Sequence, residues 1–350
     1  MKNIYIAILF VALAAASWYA FEEFSIRNYI PLILVLFSAQ ILLNDVLEIH
    51  IVSRLKSKYF NLVIGPGTVV HELSHALAAK ITGCSITRIS FFNPGQGGGI
   101  LGYVEYVQPA DRFQPLRSII IGFAPFFGCG LFLAAILNYL ALQHPGMDLV
   151  KPDIVEIGDV DAVISTMNVI LTRFYDQLLY LDLSDPCILL LLYLEFSFAL
   201  GSAPSTKDIS DAFSSLLRHK LEALALLLFL ISGILLIEYG PQLMEHGDFI
   251  PGLAVVALKW MILVLMISSS MLLVAIPLSY MIVETAQIRG AFKIIPPALF
   301  VLVYFLMTKY AVNYAEVSVE MALLSSTVVF LVSLLILRNP QLFIKTDQRY

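Results

Sequence analysis

The chain has 350 residues, 59% of them hydrophobic and 13% charged, with a mean hydropathy of +0.86. A soluble domain of this length cannot hide so much apolar surface, which leaves a polytopic membrane protein. The formal net charge of −5 and the lack of any lysine or arginine run exclude a phosphate-tracking surface, so no nucleic-acid partner is expected.

Apolar stretches of spanning length occur at about 4–20, 29–47, 60–82, 115–141, 185–202, 221–240, 252–283, 294–311 and 318–337. The expected fold is therefore all-α, with about nine transmembrane helices. The first stretch follows a single Lys2 and lacks an obvious small-x-small cleavage site before Phe21, so it counts as a span rather than a leader. The lysine and arginine bias of the connectors favours an outer amino terminus and an inner carboxyl terminus, although Arg54, Lys56 and Lys58 run against it.

The third stretch contains His71-Glu72-Leu73-Ser74-His75, an HExxH pattern. Residues four apart share one face of a helix, so the two imidazoles can grip one Zn2+ while Glu72 serves as general base. Ionisable groups at bilayer depth cost several kcal/mol unless paired or metal-bound, which argues against a decorative role. Just before the motif, Gly65-Pro66-Gly67 is expected either to break the span beside a water-filled pocket or to begin the helix, with Pro66 in the first turn and Thr68 helping to cap it.

After the motif, residues 86–92 and 100–107 are β-prone runs joined by Asn93-Pro94-Gly95-Gln96-Gly97-Gly98-Gly99, the pattern of a β-hairpin. A strand edge can hold an extended peptide through backbone hydrogen bonds whatever its side chains. Ile100, Gly102 and Val104 are the expected substrate-binding residues; a hairpin that only covers the site is the other reading. Residues 142–184 form an acidic aqueous insertion in which Val160, Val163, Ile164, Met167, Ile170, Leu171, Phe174 and Leu178 recur at helical spacing. That helix suits the membrane interface better than a lid.

A catalytic zinc site takes three protein ligands and leaves a position for water. Asp208, Asp211 and Glu195 are candidates for the third ligand, with His50, His144, His219 and His246 in the connectors behind them. Ser205 and Asp208 also match a capping box, so local pattern leaves Asp208 open between cap and ligand. The chain divides into an amino-terminal pair of spans (1–59), a core holding all residues with chemical content (60–220) and carboxyl-terminal helices (221–350). Cys84, Cys129 and Cys187 are isolated and read as packing residues.

An HExxH in a membrane helix, a hairpin, a Gly/Pro-bearing span and then a span ending near an aspartate resemble the site-2 protease family of intramembrane zinc metalloproteases. The likeness covers residues 60 to about 215. It implies zinc held by His71, His75 and an aspartate matched by Asp208 in Pro204-Ser205-Thr206-Lys207-Asp208, with Glu72 as the catalytic residue. It implies cleavage of peptide bonds in or near transmembrane helices of membrane-protein substrates, by a multi-pass protein of the cell membrane. Two departures stand out: the family's Asn-Pro-Asp-Gly or Leu-Asp-Gly is absent, and Gly128 stands where an asparagine is often found. A prenyl-protein endopeptidase would need a Glu-x-x-x-Asp that the chain lacks. A metal-ion transporter and a non-catalytic pseudoprotease that binds membrane helices are the readings from other classes.

Overall fold

The computed structural model describes residues 2–20, 28–51, 58–91, 102–143, 149–155, 160–181, 185–243, 249–288, 290–307 and 319–338. The chain is mostly helical: α1 (Lys2–Ala20), α2 (Tyr29–His50), α3 (Lys58–Ile81), β1 (Ser85–Ser90), β2 (Tyr103–Val107), α4 (Gln114–Leu142), α5 (Val160–Tyr180), α6 (Pro186–Ser202), α7 (Thr206–Arg218), α8 (Lys220–Leu243), α9 (Phe249–Ala286), α10 (Ile295–Leu306) and α11 (Val319–Arg338). Among the described residues five helical stretches are long and apolar enough to cross a bilayer: Asn3–Ala20, Tyr29–His50, Gln114–Leu142, Pro186–Arg218 and Gly252–Ala286. Nine were expected. The helix carrying the HExxH motif is not one of the five, since its histidines, Glu72, Ser74 and Lys80 dilute its apolar residues. Two carboxyl-terminal apolar helices, Gly290–Leu306 and Leu324–Arg338, are shorter.

Two compact units divide the chain, Met1–Ile276 and Pro277–Tyr350. In the second, Ile288, Phe330 and Leu334 form a small core and Arg338 pairs with the buried Glu284. In the first, an aromatic cluster joins four helices: Phe37 of α2 lies 4.9 Å from Phe123 and 5.0 Å from Phe126 of α4, and Phe10 of α1 lies 5.8 Å from Phe213 of α7. Ala7, Ile41 and Ile209 pack beside it. At apolar depth, where lipid competes with every hydrophobic contact, polar bonds and close packing register the helices. Gln40 Nε2 of α2 supplies such a bond, donating to Ser268 Oγ (2.5 Å) and Ser269 Oγ (3.0 Å) of α9.

Neither expectation for Gly65-Pro66-Gly67 holds, because α3 runs from Lys58 to Ile81 with Pro66 inside it. Proline removes the helical bond to the Leu62 carbonyl, yet a neighbouring helix makes up the local loss. Gly67 N donates to Ser197 Oγ of α6 at 2.8 Å, and Thr68 Oγ1 donates within the helix to Ile64 O at 3.2 Å. The glycines serve packing: a Cβ on Gly201 of α6 would stand 2.7 Å from the carbonyl carbon of Gly67, so the two backbones touch there. This is the small-residue crossing typical of membrane helices.

Helix α3 stops at Gly83, whose φ of +82° admits glycine readily. Cys84 N then donates to Ala79 O at 2.8 Å, and the chain turns into β1. β1 and β2 pair antiparallel, from Ser85 opposite Val107 to Ser90 opposite Tyr103, with an irregularity between Ile86 and Arg88. The hairpin is therefore present; its connecting residues 92–101 lie outside the described residues. Ile86 and Tyr106 seat it on Ala78, Ala79, Cys84 and Ile121.

The insertion contains the expected helix, α5, anchored at the far end of α4. Asn138 bonds both polar groups of Val150 (3.0 and 2.6 Å), Thr166 Oγ1 donates to Ile154 O (3.2 Å) and Gln177 Nε2 donates to Leu137 O (3.0 Å). Leu137 follows Ile121 by sixteen residues, about 24 Å along a helix, so this anchorage is remote from the HExxH motif.

Candidate metal centre

His71 and His75 sit on successive turns of α3 with ring centroids 4.8 Å apart. Each is oriented by a backbone carbonyl from a different helix. His71 Nδ1 lies 2.7 Å from Gly201 O of α6, and His75 Nδ1 lies 2.7 Å from Ile121 O of α4. A carbonyl only accepts, so each Nδ1 carries the hydrogen, and in the neutral ring each Nε2 then presents a lone pair. The two Nε2 atoms face each other at 3.1 Å.

Asp208 Oδ2 completes the group, 3.5 Å from His71 Nε2 and 3.3 Å from His75 Nε2. Helix α6 ends at Ser202, the extended residues Ala203 and Ser205 interrupt the helical run, and α7 begins at Thr206. Asp208 is thereby delivered in the first turn of α7. The capping box is real: Ser205 Oγ accepts from Asp208 N at 3.2 Å, while Asp208 Oδ2 accepts from Ser205 N at 2.8 Å and from Ser205 Oγ at 2.6 Å. Cap and candidate ligand, rivals in the local pattern, are thus the same carboxylate. Gly122, beside Ile121, lets α7 approach α4, since a Cβ there would stand 3.1 Å from Asp208 O.

With both imidazoles neutral, three acceptor atoms converge, a mutually repulsive arrangement that a bound cation relieves. Zinc with ligands at 2.0–2.1 Å in tetrahedral geometry separates neighbouring donor atoms by about 3.3 Å, and the measured 3.1, 3.3 and 3.5 Å match that spacing. The residues present therefore fit a zinc ion. Among the described residues this is the group of histidine, cysteine and carboxylate side chains able to hold a metal.

The other candidate ligands stand apart from it. Asp211 is exposed one turn onward, and Glu195 is buried in α6 with neither carboxyl oxygen hydrogen-bonded. His50 and His219 end α2 and α7 outside the group, and His144 and His246 lie outside the described residues.

Glu72 is 6% exposed. Gly102, at the far end of the hairpin, lies against it: a Cβ at Gly102 would stand 2.7 Å from Glu72 Cγ, 2.8 Å from Glu72 Oε1 and 2.9 Å from Ser90 O. Of the three expected substrate-binding residues, Gly102 thus reaches the site. Val104 sits in β2 opposite Ile89, and Ile100 lies outside the described residues. Gly128, where an asparagine was the alternative, packs on Ser74, the motif's fourth residue, with room for no Cβ.

Sequence reasoning missed Gly201 O, Ile121 O and Ser205 Oγ, which orient the three metal-facing side chains. Of these only Ser205 left a signal, its place in the capping box. No protein-family model, curated protein or solved structure matches the chain.

Proposed function

We propose that the protein is an intramembrane zinc metalloprotease of the site-2 protease type, acting on peptide bonds in or near transmembrane helices of membrane-protein substrates. The observation that carries this reading is the convergence of His71 Nε2, His75 Nε2 and Asp208 Oδ2 beside a buried Glu72. A zinc ion held by these three residues supplies a Lewis acid for the scissile carbonyl and lowers the pKa of the attacking water. Glu72, next to His71 on the same helix, takes the proton of that water and returns it to the leaving amine. Gly201 O and Ile121 O keep both Nε2 atoms turned inward, and Ser205 keeps Asp208 Oδ2 in place. His75 and Glu72 are buried and His71 and Asp208 partly so, which strengthens these interactions.

The protein is read as a nine-span protein of the cell membrane, its bilayer partner being the lipid around the long apolar helices. A substrate helix hides its peptide bonds in its own hydrogen bonds, so it must unwind locally before cleavage, and helix-breaking residues in a substrate favour cutting. The open edge of the hairpin offers the unwound segment backbone partners. Glu72→Gln replaces the carboxylate with a neutral amide of the same shape. It retains zinc in metal analysis and loses about 10²–10⁴-fold of cleavage of a model transmembrane substrate in proteoliposomes; undiminished cleavage would falsify the general-base assignment.

A further inference from the structure

The far end of the hairpin meets Glu72 at Gly102, and its feet are held elsewhere. From its feet at Ser85 and Val107, β1 runs six residues, about 20 Å, to Ser90. Glu72 lies ten residues back from Thr82, about 15 Å along the helix. With Gly102 against Glu72 the hairpin folds back along α3, and a tilt of about 5° at its feet displaces its far end by roughly 1.7 Å. Misplacement of a reacting group by about 1 Å costs up to 10²-fold in rate.

Both feet converge on one side chain, Arg117 in the first turn of α4. Its Nε donates to Thr82 O at 2.7 Å, on the segment leading into β1. Its Nη1 and Nη2 grip both carboxyl oxygens of Asp111, on the segment leaving β2, the Nη2 to Oδ2 bond being 2.7 Å. Asp111 is itself fixed, because its Oδ1 also accepts from Phe113 N at 2.9 Å. Two further bonds from α4 hold only the outgoing segment, Gln108 Nε2 to Ser118 Oγ and Gln114 Nε2 to Pro109 O, both 3.2 Å. A planar fork with separate donors can serve both feet at once, where a lysine ammonium would act as a single point.

We propose that Arg117 is a positioning residue: by clamping both feet of the hairpin it holds Gly102 against Glu72 and so sets the geometry in which Glu72 works. The effect on cleavage rests on the proteolytic reading above, whereas the effect on hairpin position does not. In a Cys187→Ser background, which removes the exposed cysteine, spin labels replace Ile89 on β1 and Leu77 on α3, both exposed. The full-length protein in lipid nanodiscs is then measured for the inter-label distance distribution, zinc per chain and cleavage of a model transmembrane substrate.

The parent should give one narrow distribution. Arg117→Ala should broaden it, keep zinc stoichiometry unchanged and lower cleavage about 10–100-fold, and Arg117→Lys should recover part of both losses. Asp111→Asn, which spares the Thr82 bond, should broaden the distribution less than Arg117→Ala. An unchanged distribution in Arg117→Ala, or loss of zinc alongside it, overturns the positioning role, since the first leaves the hairpin in place and the second is general unfolding. A parent that binds no zinc and cuts nothing overturns the protease reading instead, and the distances still decide the clamp.

Discussion

Gly102→Ala is a sharp test of whether the hairpin bears on the chemistry. The added methyl would stand 2.7 Å from Glu72 Cγ, 2.8 Å from its Oε1 and 2.9 Å from Ser90 O, against the 3.4 Å at which ordinary contact begins. The hairpin or Glu72 must therefore give way by roughly 0.7 Å, and displacement on that scale costs on the order of 10–10² in rate. Overpacking of this kind costs about 1–3 kcal/mol of stability, partly offset by the ~0.4–1 kcal/mol gained when alanine restricts the unfolded chain. The metal ligands are untouched, so zinc stoichiometry stays at the parent value. Gly83→Ala is the control: φ is +82° there, but no atom lies within 4 Å of the new methyl, so it costs about 1 kcal/mol of backbone strain and leaves Glu72 alone. Both variants are assayed for cleavage of a model transmembrane substrate, zinc content and thermal unfolding in detergent. Parent-like cleavage by Gly102→Ala, or an equal loss in both variants, would refute the coupling of hairpin to Glu72.

Ser205→Ala deletes the hydroxyl that binds Asp208 Oδ2 at 2.6 Å and caps α7; zinc affinity, titrated against a competing chelator, should fall about 10-fold or more and stability by about 1 kcal/mol. Glu195→Leu removes a buried carboxyl whose oxygens have no hydrogen-bond partner, so the unfolding midpoint should rise, by about 1–3 kcal/mol in stability, with zinc content unchanged; a lower midpoint would show that Glu195 has work to do. The hydrogen bond from Arg117, helped by the Phe113 amide, holds the Asp111 carboxyl below the usual aspartate value of 3.8. A lowered native value means that the clamp is complete above that usual value and is lost as pH falls through the lowered one. The Ile89 to Leu77 distance should therefore stay constant between about pH 8 and pH 5, and broadening within that window would contradict the assignment.

The pairing of His71 with His75 was legible because a single local rule, the period of a helix, puts residues four apart on one face. Asp208 was half legible. Its capping box was visible in the residues, but the rule treats cap and ligand as competitors, whereas a carboxylate oxygen has lone pairs for Ser205 and for a cation together. The hairpin was legible from its β-prone runs and glycine-rich turn, while its seat on Glu72 depends on the absence of a side chain at Gly102, which no pattern marks.

Two of the pieces that escaped the sequence share a cause: each is a backbone group used across a long separation. Gly201 O meets His71 from 130 residues away and Ile121 O meets His75 from 46. Every residue has a carbonyl, so nothing in a side-chain pattern distinguishes these two. The same holds for Gly65-Pro66-Gly67, read locally as a break or a helix start because proline strips a donor from the ladder. The break does not occur because Ser197 accepts the Gly67 amide and Gly201 leaves room for the two backbones to touch. That crossing also places Gly201 O against His71, so one pair of small residues both carries α3 past its proline and aims the first imidazole. A side chain at either glycine would separate α3 from α6 and turn His71 away from His75 and Asp208, which makes the packing of the two helices and the geometry of the metal centre a single structural requirement.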